Sequence, residues 1–169
     1  VLVTAGEAPV ASDVAHYAKL LDYFNAYGPT ENSVCSTIQR ILPGDTAPFS
    51  IGKPLPNTTI QVLDGNLQPV PIGVEGEICL SGVGLALGYV DPAQTLLQNG
   101  PHGPLYRSGD RGRWLDDGRL LYAGRRDAQI KIRGQRIELA EVTAALSSHP
   151  SVQQAHCSVH DEQLVAHII

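Results

Sequence analysis

The sequence has no methionine among its 169 residues, one tryptophan, two phenylalanines and only three cysteines. Without methionine there is no start residue. The chain opens on VLVT and closes on LVAHII, apolar runs where domains ordinarily end in polar segments, so it reads as a piece of a larger polypeptide. No apolar run reaches the roughly 20 residues needed to span a membrane, and no signal-peptide layout or low-complexity tract is legible, so no membrane partner is expected. Basic residues number 12 against 17 acidic ones, and the net charge of −5 argues against a nucleic-acid face. Cys35, Cys79 and Cys157 are odd in number, far apart and without a CxxC pair. A disulfide framework and a zinc site are therefore disfavoured, and a reduced, cytoplasmic setting fits. The six histidines show no ligand spacing, and no Ser-His-Asp or Cys-His arrangement can be assembled.

What is present is a globular composition, 43% hydrophobic and 17% charged, enough for one domain or one and a fraction. Residues 1–42 read as an α/β layer. VLVTAGEAP is a buried strand ending in a glycine turn, and Val10, Val14, Tyr17, Ala18 and Leu21 predict an amphipathic helix of about three turns that fails near Phe24. Residues 43–126 carry short alternating segments, TTIQVLD, GEICLSG and GRLLYAG, separated by turn residues, with a hairpin signal at Asp116–Gly118. They predict a small barrel or sandwich. Residues 127–169 predict a two-stranded hairpin around Gly134-Gln135 with a basic outer face, a helix from Leu139 to before Pro150, and two further strands. The expected fold is thus an α/β fragment plus a small β-barrel-like unit, followed by the start of a small α+β subdomain, with the boundary near Asp127.

Three stretches could carry chemistry. NAYGPTENSVC (Asn25–Cys35) combines a ring that can stack on a base, an amide that can meet a base edge, a hydroxyl, and a carboxylate that could hold Mg²⁺ beside phosphates. Its plain alternative is a loop that turns at Gly28-Pro29 and starts a helix, with Tyr27 as core anchor, Thr30 as N-cap and Glu31 at the positive helix end. YRSGDRG (Tyr106–Gly112) holds Asp110 in a Ser-Gly turn, placed to accept two ribose hydroxyls; the plain alternative is an Asx turn joining strands. GRRDAQIKIRG (Gly124–Gly134) mixes four basic residues with one aspartate, or is a solvated hairpin face. GVGLALGY (Gly82–Tyr89) is glycine-rich but lacks the Gly-Lys-Ser/Thr of a phosphate loop and reads as tight packing in the β unit.

In order, NAYGPTE, GEICLSGVGLALGY, YRSGD and GRRDAQIKIRGQRIELAEV resemble the consecutive core motifs of adenylate-forming enzymes, most closely the adenylation domains of non-ribosomal peptide synthetases. The resemblance covers essentially the whole chain. Departures from the family pattern are Ser108 where threonine is commoner, Arg111 where leucine is usual and Ala140 where glycine is usual. It implies an enzyme that joins an amino acid to ATP, giving aminoacyl-AMP and pyrophosphate, and passes the acyl group to a phosphopantetheine thiol. It implies Mg²⁺, a peptidyl carrier domain, neighbouring synthetase domains, and a small MbtH-like protein as a further candidate partner. Carried over by motif, Tyr27 stacks on adenine, Asn25 lies along its edge, and Thr30 and Glu31 act at the phosphates, Glu31 with the metal. Gly6 belongs to the nucleotide site, Asp110 holds the ribose hydroxyls, Arg125 the ribose and phosphate region, and Tyr122 flanks the nucleotide. Asp127 matches the hinge of the small subdomain, and Lys131 faces the site in the thiolation state.

The same resemblance makes Val3, Ala5, Ala26, Val34 and Cys35 a substrate-pocket wall. All are small or apolar and offer no charge partner, which suggests an aromatic or bulky hydrophobic amino acid such as phenylalanine or tyrosine. The family's phosphate loop and amine-gripping aspartate would lie before Val1 and its catalytic lysine after Ile169, so the isolated chain is expected to be inactive. A stand-alone acyl- or aryl-acid ligase and a non-catalytic docking module are the competing readings.

Overall fold

In the computed structural model, residues 1–91, 96–100, 103–125, 129–132, 135–160 and 163–169 are described. They divide into two units, Val1–Arg126 and Asp127–Ile169.

The first unit begins with strand β1 (Leu2–Ala5), helix α1 (Ala11–Tyr17) and strand β2 (Tyr23–Tyr27). β1 and β2 pair in parallel, which requires a crossover, and α1 supplies it. Val14 and Ala18 bury against Tyr23 and Ile41, with Leu2 and Phe49 at the margin. The helix is shorter than its apolar spacing predicts. Tyr17 and Leu21 stay exposed, and Val10 at the N-cap makes no side-chain cap, so only the turn around Val14 is held by packing. Strands β3 (Thr37–Ile41) and β4 (Lys53–Pro54) complete a mixed sheet in the order β1-β2-β3-β4.

No helix follows Thr30, contrary to the capping alternative. Asn25–Tyr27 are the end of β2, and the chain then doubles back to pair antiparallel as β3. Ser33 (φ 44°) and Val34 (φ 71°) take consecutive left-handed conformations, which no helix start accommodates. The reversal is tight: a Cβ on Gly28 would lie 2.5 Å from the Val34 carbonyl oxygen and 2.8 Å from the Ser36 nitrogen. Only glycine lets the Ser36 N–H donate to the Tyr27 carbonyl at 2.7 Å.

Strands β5 (Thr58–Leu63), β6 (Gly76–Gly82), β7 (Gln98–Gly100), β8 (Gly103–Trp114) and β9 (Leu120–Arg125) form an antiparallel sheet in the order β5-β6-β8-β7, with β9 also on β8. Asp116–Gly118 makes the expected turn between β8 and β9, closed by Leu115 N–H to the Arg119 carbonyl at 2.8 Å. Ile78, Cys79 and Leu80 are consecutive and fully buried because β6 is covered on both faces. Ile78 and Leu80 join a cluster with Tyr27, Ile60, Val62 and Leu120, while Cys79 packs with Leu63 and Leu105. That burial pushes the Cys79 thiol up to about 12. A bridge between Gly52 and Leu120 connects this sheet to the first.

The second unit comprises strands β10 (Gln129–Ile132) and β11 (Gln135–Glu138), helix α2 (Leu139–Ser147), and strands β12 (Ala155–His160) and β13 (Gln163–Ile168). Each strand pair is an antiparallel hairpin of its own. No helix among the described residues is long and apolar enough to cross a membrane.

Candidate functional site

Asp110 sits inside β8, not in a turn joining strands. A bulge between Asp110 and Gly112 breaks the regular register with β9 there, and bulges re-aim side chains. The Ser108 hydroxyl donates to the Ile78 carbonyl at 2.6 Å and accepts the Asp110 N–H at 3.0 Å, so the strand is pinned on either side of the aspartate. The aspartate side chain is 8% exposed. Its Oδ2 accepts the Tyr27 hydroxyl at 2.6 Å and its Oδ1 accepts an Arg125 guanidinium N–H at 2.7 Å. Tyr27 comes from the end of β2 and Arg125 from β9, where it lies opposite Asp110. The Tyr27 ring is 8% exposed and packs into the core. Burial, and after it the neighbouring Asp110 charge, hold its phenol well above the ordinary value of 10.0. The exposed Tyr122 ring lies beside it, centroids 6.2 Å apart at 43°. The structure therefore brings Tyr27, Asp110, Tyr122 and Arg125 to one corner.

Asn25 is buried one register step back on the same face of β2, and its amide donates to the Ser50 carbonyl at 2.9 Å. Gly6 closes β1 with φ 91°. Thr30 is exposed, whereas Glu31 is 6% exposed. The Glu31 Oε1 accepts the Tyr89 hydroxyl at 2.8 Å, and its backbone carbonyl accepts the Ala86 N–H at 2.9 Å.

Of the residues expected to form a pocket wall, Val3, Ala5 and Ala26 fall on the other face of the first sheet. Register places Ala5 beside Ala26 and Ala26 beside Ile38, with Val3 and Phe24 in the next row. Val3, Ala5 and Ile38 are exposed and Ala26 is buried. Val34 is 77% exposed and Cys35 half-buried at the reversal beyond β2. Sequence reasoning missed Phe24 and Ile38. The period-two alternation of YFNAY would have placed Phe24 with Ala26, and Ile38 needed the β2–β3 register. It also missed Ser108 as the clamp on Asp110, and Tyr89.

Asp127 lies outside the described residues, as do Gly134 and the basic face expected of the hairpin. Lys131 is on β10 opposite Arg136. Among the described residues no group of three or more His, Cys, Asp or Glu side chains could hold a metal ion by itself.

The profile of the AMP-binding enzyme family matches residues 1–90. A linear gramicidin synthase of Brevibacillus parabrevis is 46% identical over 99% of this chain, which covers 2% of that protein. Tyrocidine synthase 1 of the same organism is 41% identical over 96% of this chain, which covers 16% of it. Among solved structures, PA1221, an NRPS protein containing adenylation and PCP domains, superposes with a TM-score of 0.86 at 28% identity, covering 99% of this chain and 37% of that one. The four-domain nonribosomal peptide synthetase AB3403, bound to AMP and glycine, gives a TM-score of 0.68 at 35% identity, covering 98% of this chain and 14% of that one. The chain thus spans a small part of the length of its curated relatives, 2% and 16% of these two.

Proposed function

The chain belongs to the AMP-binding enzyme family, and from that premise we propose that it helps activate an amino acid as its adenylate and pass it to a carrier-bound thiol. It is an adenylation-domain segment of the non-ribosomal peptide synthetase type. The observation that carries the finer reading is the buried Tyr27–Asp110–Arg125 network with Tyr122 at its rim.

A carboxylate has about four acceptor sites. With one oxygen on Tyr27 and the other on Arg125, Asp110 is held rigid at the corner where ribose hydroxyls would bind. Arg125 sets the carboxylate's orientation and places positive charge where ribose and phosphate meet. The exposed Tyr122 ring supplies the open surface on which an adenine would stack, with the nearly buried Tyr27 ring, Asn25 and Gly6 behind it. Displacement at a phosphoryl group needs positioning and charge neutralisation more than covalent help from protein. Glu31 and Thr30 provide hard oxygen donors. They fit Mg²⁺, which is commonly held by one or two carboxylates together with substrate phosphates. When bound, the ion would neutralise phosphate charge as pyrophosphate leaves.

The apolar patch of Val3, Ala5, Phe24, Ala26 and Ile38, with Arg40 and Lys53 at its margin on the same face, suits the side chain of an aromatic or bulky hydrophobic amino acid. Asp127 and Lys131 are assigned to the hinge and thiolation surface by motif. A carrier domain is the expected acceptor, with an MbtH-like protein as a candidate helper to assay alongside it. Amino-acid-dependent ATP–pyrophosphate exchange by the polypeptide that carries this chain tests the proposal. Phenylalanine, tyrosine or another bulky apolar amino acid should give the highest rate. A preference for aspartate or lysine would refute the pocket assignment. Exchange by the isolated 169-residue chain would refute the expectation that it is inactive alone.

A further inference from the structure

The segment Gly82–Tyr89 is not the uniform tight packing its glycines suggest. Leu85 and Ala86 lean on the core, but Val83 and Leu87 are almost wholly exposed. Burial alone does not explain its path. Four contacts bind it to the stretch around Glu31. The Ala86 N–H donates to the Glu31 carbonyl at 2.9 Å, Asn32 and Leu85 form an antiparallel bridge, and the Ser33 hydroxyl donates to the Gly84 carbonyl at 2.9 Å. The fourth is the Tyr89 hydroxyl on the Glu31 Oε1 at 2.8 Å. The approach is so close that a Cβ on Gly84 would sit 2.6 Å from the Asn32 side-chain oxygen. Three of these contacts fix the strap's backbone to the reversal between β2 and β3; only the fourth reaches the carboxylate.

We propose that Tyr89 is a positioning residue for Glu31, and that the Gly82–Tyr89 strap follows its path in order to deliver that hydroxyl. The proposal rests on the reading of Glu31 as the carboxylate that meets the metal–nucleotide complex. A carboxylate at the end of two rotatable methylenes samples several orientations. One fixed hydrogen bond selects one of them, and outer groups of this kind govern metal affinity by about 10- to 100-fold.

The test uses the full polypeptide carrying this chain. Tyr89→Phe removes the hydroxyl and keeps the ring, and Ser33→Ala removes a tether of the same strap that does not touch the carboxylate. Mn²⁺ is titrated in the presence of a non-hydrolysable ATP analogue and followed by electron paramagnetic resonance, with thermal midpoints recorded for each variant. Tyr89→Phe should weaken Mn²⁺ binding about 10-fold and raise the Mg²⁺ needed for half-maximal exchange by the same factor. The amino-acid KM should not change, and excess Mg²⁺ should restore the rate. Ser33→Ala should leave metal affinity where it was. A Tyr89→Phe curve that overlays the unsubstituted protein overturns the proposal, as does an equal loss in both variants, which would make the strap merely structural. If the unsubstituted protein binds no metal–nucleotide and exchanges nothing, the adenylation reading itself falls and takes this one with it.

Discussion

The two faces of β2 make opposite use of one short strand. Asn25 and Tyr27 point to a polar corner that is buried, with both oxygens of Asp110 already engaged by protein donors. Phe24 and Ala26 belong to the opposite face, where Ala5, Val3 and Ile38 leave an apolar patch open beside Arg40 and Lys53. The strand's alternation explains why one stretch holds so many residue types: successive neighbours face opposite sides of the sheet, and in the proposed function each side meets a different substrate. The difference teaches what each face should tolerate. A corner whose members satisfy one another resists change because each removal strands a buried partner. An open apolar wall barely contributes to stability, and its changes fall on selectivity.

The largest break is Asp110→Ala. It leaves the Arg125 guanidinium, 14% exposed, without this carboxylate and the Tyr27 hydroxyl without this acceptor. Removing one partner of a buried pair costs about 3 to 5 kcal/mol, so urea unfolding should show a loss of about 4 kcal/mol together with loss of nucleotide binding. Asp110→Asn, which keeps an acceptor oxygen, should lose less. An Asp110→Ala protein of unchanged stability would mean that the corner is not a rigid unit.

Ala5→Leu sharpens the other side of the comparison. The residue is exposed, so stability should move by no more than about 0.5 kcal/mol. Filling the wall should lower exchange with the preferred bulky amino acid about 30-fold, about 2 kcal/mol in transition-state terms. The ATP half-saturation should stay fixed. An equal change in both constants would show that the two faces are not separate.

Local pattern made much of the fold legible. The turn at Asp116–Gly118 needs only its own neighbours to be read and is where the sequence puts it, whereas the strand through Ile78–Leu80, read as alternating, is buried on both faces. The stretch Asn25–Tyr27 was harder, because a polar amide before Gly-Pro looks like loop. It is strand because Asn25 finds the Ser50 carbonyl and Tyr27 finds Asp110, contacts 25 and 83 residues away. The motifs named the members of the corner but not its wiring. Tyr89 reaches Glu31 across 58 residues, and no spacing rule carries such a contact. The helix after Val10 is present but shorter than its spacing predicts, because helical spacing predicts a face and only packing decides how much of that face forms.

Tyr27→Phe is the mildest test and separates stacking from anchoring, since the ring stays and only the hydroxyl leaves Asp110. At neutral pH the loss should be about 1.5 kcal/mol, as for a hydrogen bond to a charged group. The pH dependence carries more information. The folded phenol titrates well above its ordinary value of 10.0. Below that value both folded and unfolded chains keep the proton, and the stabilisation is fully present. As pH rises past it the unfolded chain releases the proton while the folded one holds it, so the unfolded state binds fewer protons and stability falls. The unsubstituted protein should therefore lose stability more steeply than Tyr27→Phe above roughly pH 10, and their urea midpoints should converge. Parallel curves would show that the hydroxyl is not anchored on Asp110. A variant that keeps its ATP affinity while losing its alkaline slope would assign the ring to nucleotide binding and the hydroxyl to holding the corner together.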